Sequence, residues 1–410
     1  GKIDHVIIVA PAQVKPVWLD PELGQLVTHC WPTISNRIHH FHSRRQSWHT
    51  GADTSTHLDW IVTNYEYIRR GFRARSRHVP EALEVLLDHC TDRTLLVLDE
   101  SSAVKTGRAY QTRAAMHLRR KCGRVVLMTG TPIAHSPIDL LSQANILHPS
   151  ILSDTDQPMN LIGYRAKYCT MGGFRGKQIL SFRNLKDLQD RLKPHTLRRL
   201  KKDCLDLPAK LDPVTITTTL SKETWKAYAA MRDHMIVQLA GSVSVAQQAV
   251  TKLIRLSQLT SGMLGGIEGS DEIKELSTEK IDTVVAWVTE QLDIDPNFKV
   301  VIWTQFRADV ERVRDALKHL PMELGTLWGG GKATERHHAL RLLHPETAPD
   351  RAAAVIGTPG AGALGITLSA ASTVVYLNNP HSLNIRVQSE DRNHRPGQTH
   401  TVSYFDVVAE

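Results

Sequence analysis

Cysteine is sparse in these 410 residues, and its five copies (Cys30, Cys90, Cys122, Cys169 and Cys204) stand singly, with no CxxC pair. That spacing offers neither a disulfide framework nor a cysteine zinc site, and it fits a reducing compartment. His39, His40, His42 and His49 follow Cys30 without ligand spacing, and they read as a polar surface loop rather than a metal centre. No apolar run approaches a membrane span and no secretory segment opens the chain, so the expectation is an intracellular protein. It would lie in the cytoplasm or nucleoid, or in the nucleus if the source is eukaryotic. An acidic surplus is also missing. Fifty Lys and Arg against 42 Asp and Glu leave +8, with a pI near 9.2, which points to a polyanionic partner more than to an acidic substrate. Finally, no GxxxxGK[ST] occurs, so no loop of that type cradles nucleotide phosphates. Gly329-Gly330-Gly331-Lys332 falls short because Ala333 supplies no hydroxyl, and Gly1-Lys2 runs directly into Ile3.

What is present is an ordinary globular composition, 41% hydrophobic and 22% charged, long enough for two or three domains. Short β-branched runs alternate with longer amphipathic stretches, the pattern of parallel sheets covered by helices. Strands are expected at Val6–Ala10, Trp60–Thr63, Leu95–Leu98 and Val125–Met128, then at Val300–Trp303, Met322–Leu327, Ala353–Ile356, Thr373–Leu377 and Val402–Phe405. The fold class is therefore α/β: one lobe over residues 1–150, a largely helical insertion and linker over 151–280, and a second lobe over 281–410. Leu185, Leu188 and Leu192, and later Leu253, Leu256 and Leu259, repeat at helical spacing in the middle region. Lys193 to Lys202 is very basic, either a nucleic-acid contact or a solvated helix face. Gly262 to Gly269 reads as a flexible loop.

Ligands of open α/β sheets bind outside the carboxyl ends of the strands, so the residues that end each run are the candidates for chemistry. Leu95 to Leu98 delivers Asp99 and Glu100. One carboxylate beside nucleotide phosphates suffices for Mg²⁺, and its neighbour can polarise an attacking water; an acidic helix start is the plain alternative. Thr129-Gly130-Thr131-Pro132 is either a phosphate-sensing turn or an unremarkable one. Thr358 to Gly365 is small-residue rich, permitting close approach by a backbone, sugar or phosphate, or simply linking strand to helix. In Gln388…Arg392…Arg395-Pro396-Gly397-Gln398, a helical run would set both arginines on one face. Two guanidinium groups there suit a phosphate gaining charge, and a solvated basic helix is the alternative.

Taken in order, Pro11, Thr63-Asn64-Tyr65-Glu66, Asp99-Glu100, Thr129 to Pro132, Gly362 to Gly365 and Gln388 to Gln398 resemble the Swi/Snf-like branch of superfamily 2 DNA helicases and translocases. The most diagnostic pieces are Gln388 to Gln398, similar to QxxDRxHRxGQ, and Leu127 to Leu147, similar to LTGTPxxN…ELxxxxNFL. The resemblance covers nearly the whole chain. It implies two RecA-like lobes and ATP hydrolysis coupled to stepping along double-stranded DNA. On it, Asp99 holds Mg²⁺, Glu100 activates water, and Arg392 and Arg395 act on the γ-phosphate. Gln388, Gly365 and Thr129 border the nucleotide. Pro11, Thr63, Asn64, Tyr65, Thr131, Thr358 and Gly362 grip DNA phosphates.

The chain departs from the family pattern at Ser101-Ser102, where a small residue and His usually follow the acidic pair, and at Ala363, which replaces a glycine. It departs most in lacking GxxxxGK[ST], for which a chain truncated before that loop, and inactive alone, is the expectation. A catalytically silent nucleic-acid-binding scaffold of the same fold, or an RNA-directed relative, are the competing readings.

Overall fold

The computed structural model describes residues 3–22, 24–30, 35–41, 57–73, 78–239, 245–265, 273–362 and 365–410. His42, His49, Ala363, Gly1-Lys2 and the Gly266 to Gly269 part of the glycine-rich loop lie outside them. The chain divides into two compact units, Gly1–Arg199 and Leu200–Glu410. Among the described residues no helix is long and apolar enough to cross a membrane.

The first unit is built on five parallel strands, β1 (His5–Ala10), β2 (Ser35–His40), β3 (His57–Asn64), β4 (Thr94–Asp99) and β5 (Arg124–Met128), in the order β2-β3-β1-β4-β5. The central β1, His-Val-Ile-Ile-Val-Ala, is buried along its whole length, as a parallel strand covered on both faces must be. One face carries the larger core, in which Ile7, Val9, Ile61, Leu96 and Leu98 meet helices Glu81–Leu87 and Tyr110–Lys121 through Leu83, Leu86, Ala114 and Leu118. The other face is covered by Trp18, Leu19 and Leu26 from the short helices Lys15–Leu19 and Gln25–His29, which pack on Val6, Ile8 and Val62. That cover does not extend to β5, whose Val126 stays 43% exposed.

β2 corrects an expectation. His39 and His40 belong to an edge strand, not to a surface loop. Asp59 explains the strand: it is 1% exposed and accepts from Arg37 at 2.8 and 2.9 Å and from His39 at 2.9 Å. Burial works against the Asp59 charge, but Arg37 and His39 outweigh it and hold the carboxyl below its ordinary range. Past β5, helix Leu161–Tyr168 leads into a hairpin of β6 (Cys169–Gly172) and β7 (Gln178–Phe182), and helix Leu185–Leu192 packs Leu188 against Tyr164 and Tyr168.

The second unit holds β8 (Val214–Thr218), a hairpin of β9 (Met263–Gly265) and β10 (Ile273–Glu275), then β11 (Lys299–Trp303), β12 (Glu323–Leu327), β13 (Ala353–Gly357), β14 (Thr373–Tyr376) and β15 (Ser403–Ala409). Its parallel sheet runs β12-β13-β11-β14-β15-β8. Val-Thr-Ile-Thr-Thr at β8 therefore joins this sheet from within the region read as helical linker, and β9 pairs with β10 where a loop was expected. Both faces are sealed, one by Val301, Trp303, Val355 and Tyr376, the other by Val300, Ile302, Ile356 and Val375 against helices Glu279–Ile294 and Arg307–Leu317. The basic segment from Lys193 is not one helix face: a 3-10 turn (Lys193–His195) and an extended stretch precede a single helical turn at Lys201–Cys204.

Candidate functional site

In the first unit the chemistry collects where β4 ends. Asp99 is half-buried, and Glu100 after it takes a left-handed conformation (φ 50, ψ 57) that turns the chain sharply off the strand. Such a backbone costs a non-glycine residue about 1–2 kcal/mol, so the surroundings must hold it. They do: Glu100 Oε1 accepts from Thr129 Oγ1 at 2.9 Å and from Ser102 Oγ at 2.9 Å. Thr129 Oγ1 in turn accepts the Thr131 amide at 3.1 Å. Ser101 donates to Gln143 Oε1 at 3.0 Å, and Gln143 Nε2 donates to the carbonyls of Pro132 and Asp139 at 2.8 and 2.9 Å. The ends of β4 and β5 are thus one hydrogen-bonded assembly, with the two serines that depart from the family pattern both inside it.

Asp99 Oδ2 accepts from Trp18 Nε1 at 2.9 Å, and Oδ1 from the Glu100 amide at 2.9 Å. Burial raises its carboxyl above the ordinary range, and those two donors only partly offset that. Trp18 lies 81 positions upstream with no motif around it, so sequence reading misses it. Its indole also lines a cavity of about 370 Å³ with Leu26, Asn36, Leu58 and Trp60.

Several residues read as DNA contacts are placed otherwise. Thr63, the penultimate residue of β3, is 0% exposed, so its hydroxyl is not offered to a phosphate. Tyr65 is buried and donates its hydroxyl to the Asp99 carbonyl at 2.9 Å, which makes it a support for the acidic strand. Asn64 caps the helical turn Tyr65–Ile68 by accepting the Tyr67 amide at 2.6 Å. Pro11 and Thr131 are half-buried at strand ends.

In the second unit, helix Leu383–Glu390 ends before the arginines, so Arg392 and Arg395 stand in the following turns and not on one helical face. They converge by another route. Arg392 donates through Nε to the Gln388 carbonyl at 2.7 Å and through Nη1 toward Ile366 O at 3.5 Å. Arg395 Nη1 donates to the same Ile366 carbonyl at 2.6 Å. Burial lowers the affinity of Arg395 for its proton, partly countered by Asp391; the guanidinium stays charged at any working pH. Buried Asn393 fixes the turn, donating to the Leu368 and Ala371 carbonyls at 2.9 Å each, and Gly397 (φ 95) turns the chain after Pro396.

Gly365, on the Ile366 side of the small-residue loop, has φ 70 and needs glycine. Gly362 needs it sterically: a Cβ there would fall 2.1 Å from the ring of buried Trp303. Gly362 is itself buried, so it serves packing before any contact with DNA. Thr358 is half-buried at the carboxyl end of β13, its amide on the Leu327 carbonyl at 2.9 Å.

A buried polar node holds the same sheet edge. Asp309, fully buried, accepts from Thr304 at 3.1 Å, Asn378 at 3.1 Å, Arg312 at 3.0 Å and Ser261. It ties the end of helix Val245–Thr260 to β11 and β14.

Residues 1–262 match the SNF2-related domain and residues 279–397 the helicase conserved C-terminal domain. Among curated proteins, an uncharacterized ATP-dependent helicase of Mycoplasma pneumoniae is 26% identical over 77% of this chain and 28% of its own length. The human DNA annealing helicase and endonuclease ZRANB3 is 23% identical over 77% of this chain and 27% of its own. The nuclear protein STH1/NPS1 of Saccharomyces cerevisiae is 25% identical over 86% of this chain and 26% of its own. A solved SWI2/SNF2 ATPase core of Sulfolobus solfataricus, in complex with dsDNA, aligns over 99% of this chain and 77% of that one, at 20% identity and a TM-score of 0.37. The chain spans between a quarter and a third of the length of the curated relatives it matches.

Proposed function

We propose, from the premise that this chain belongs to the SNF2-related domain family, that it is the core of an ATP-dependent motor that couples hydrolysis to movement along double-stranded DNA. The observation that carries this reading is the acidic pair at the end of β4, with Glu100 oriented by a hydroxyl from the end of the neighbouring β5.

Among the described residues no group of three His, Cys, Asp or Glu could hold a metal. A hydrated Mg²⁺ that also leans on nucleotide phosphates needs only one or two protein carboxylates, and Asp99 fits that part. Mg²⁺ bound there would neutralise phosphate charge. Glu100 accepts the proton of a water, its carboxylate kept in one rotamer by Thr129 and Ser102. Arg392 and Arg395 supply positive charge to the phosphate being transferred, and Gln388, Gly365 and Thr129 border the nucleotide. Pro11, Asn64, Thr131 and Thr358 meet DNA phosphates, giving salt-dependent, sequence-tolerant binding. Thr63, Tyr65 and Gly362 support those loops from inside. DNA as the partner is supported by the similarity to ZRANB3, a DNA annealing helicase and endonuclease, and by the positive net charge.

Because no GxxxxGK[ST] occurs in the 410 residues, we expect them to turn over ATP weakly or not at all by themselves. The same observation keeps a second reading open, a nucleic-acid-binding scaffold of this fold with no hydrolysis. An RNA-directed motor is the third. One experiment separates them. In the protein expressed from its complete coding sequence, duplex DNA should stimulate ATP hydrolysis, and Arg395→Ala should cut turnover by about 10³-fold or more. Duplex affinity should stay within about twofold, since base-independent grip lies elsewhere. No hydrolysis by the wild type would leave the scaffold, stimulation by RNA alone would leave the RNA motor, and equal loss of turnover and affinity would remove the arginine assignment.

A further inference from the structure

We propose that the β6–β7 hairpin is a second nucleic-acid contact, whose tip stacks on an unpaired base where a duplex opens into single strands. The proposal rests on the DNA reading above and adds to it a surface outside the ATPase motifs.

Charge is the first observation. Residues 157–186 contain Arg165, Lys167, Arg175, Lys177, Arg183 and Lys186 and no Asp or Glu, with the nearest acids, Asp154, Asp156, Asp187 and Asp190, on the stem side of the hairpin in sequence. Three of the six are already engaged. Lys167 pairs with Asp187 at 3.2 Å, Lys186 with Asp190 at 2.5 Å, and Arg183 donates to the Ala166 carbonyl. Arg175 and Lys177, both exposed, are left at the tip.

The second observation is the tip itself. Phe174 is 76% exposed between the two strands, with the Arg175 guanidinium 5.2 Å from its ring centroid. Three positions hold the turn in left-handed backbone: Gly173 (φ 67), Arg175 (φ 56) and Gly176 (φ 66). Arg175 adopts it without being a glycine, at a cost of about 1–2 kcal/mol, so the tip is shaped at the expense of local ease.

The third is the anchor. Met171, Ile179 and Phe182 at the base pack on the core of Tyr164, Tyr168 and Leu188, and Asn184 donates to the Lys167 carbonyl at 2.7 Å. A fixed stem thus presents an aromatic face flanked by two cations.

That combination matches a nucleotide whose base is accessible. Every base has a π-face on which a phenyl ring can stack, and the adjacent phosphates suit Arg175 and Lys177. Within an intact duplex both faces of each base are already stacked, so the tip should discriminate for forks and single strands. A purely apolar protein partner would leave the charge segregation without a purpose.

The test is fluorescence anisotropy with labelled blunt duplex, forked duplex and single-stranded DNA of matched length and salt. The wild type should bind the fork about tenfold more tightly than the blunt duplex, Phe174→Ala should erase that margin, and Phe174→Tyr should keep it. Blunt-duplex affinity should stay within about twofold in both variants. A substitution at so exposed a side chain leaves the core untouched, and far-ultraviolet circular dichroism verifies it. A wild type without fork preference, or a preference that survives Phe174→Ala, overturns the proposal while leaving the motor reading intact. A wild type that binds no DNA of any form overturns the DNA reading first, and this one with it.

Discussion

The two units solve the same problem, holding charged groups at a sheet edge, with opposite materials. In the first unit the anions lean on side chains: Asp99 on Trp18, Glu100 on Thr129 and Ser102, and Asp59 on Arg37 and His39. In the second the cations lean on main-chain carbonyls. Arg392 and Arg395 use those of Gln388 and Ile366, and Lys280 those of Leu377 and Val407 at 3.0 and 2.8 Å. The carboxyl ends of parallel strands and the loops beyond them expose carbonyl oxygens, so a cation finds acceptors wherever it lies. An anion there finds fewer donors in the strand ends themselves, and Asp99 and Glu100 draw mainly on side chains. The acidic half of the chemistry is therefore assembled mainly from side-chain donors, and the basic half mainly from backbone carbonyls.

The sharpest way to break this contrast is in the first unit. Asp59→Asn removes the anion from between Arg37 and His39 and should destabilise it by about 3 kcal/mol, the upper range for hydrogen bonds to a charged group that are lost or weakened. The loss should be read as a lowered denaturant midpoint. The second unit should answer differently, because the hydrogen bonds of its buried lysine go to two carbonyls and not to a carboxylate. Burial depresses the Lys280 amine to about 8, with Asp309 and Asp406 opposing the shift. A depressed folded value means the unfolded chain holds more protons between about pH 8 and 10.5, so stability should rise across that window. The gain is at most about 3 kcal/mol, complete above the upper limit and absent below the lower one. Lys280→Met should flatten that rise, and a wild-type profile level over the same window would break the assignment. The smallest effect returns to the first unit. Trp18→Phe keeps an aromatic ring but deletes the pyrrole part of the indole with its N–H on Asp99, and should cost about 1–2 kcal/mol, seen as a small shift in thermal midpoint.

Much of the fold was legible because parallel strands buried on both faces are written as short runs of Val, Ile and Leu. His5–Ala10, Thr94–Asp99 and Lys299–Trp303 needed nothing more. Ser35–His40 was illegible for the reverse reason: its strand character comes from Asp59, 19 or more positions away in sequence, and not from its own polar residues. Val214–Thr218 carried a β-branched signal that the surrounding helical periodicity overshadowed. Of the candidate site, Asp99, Glu100 and Thr129 were announced by strand ends, and the structure brings them together. Trp18, Gln143 and Asp309 were silent, because a hydrogen bond between residues tens of positions apart leaves no local pattern. Burial of Thr63 and Tyr65 could not be told from exposure, since a strand's last residues alternate faces and only the packed helix decides which face is inside. The helix expected to carry both arginines stops at Glu390, and a shared carbonyl does the work of a shared face.

Trp18 has one more consequence, an optical one. Its indole N–H sits 2.9 Å from the carboxylate on which a divalent ion would be expected. An indole's emission energy depends on what its N–H donates to and on the field around the ring. Any change in charge or occupancy at Asp99 therefore has a chromophore built against it, and the first unit carries an internal gauge of its own acidic centre with no label attached.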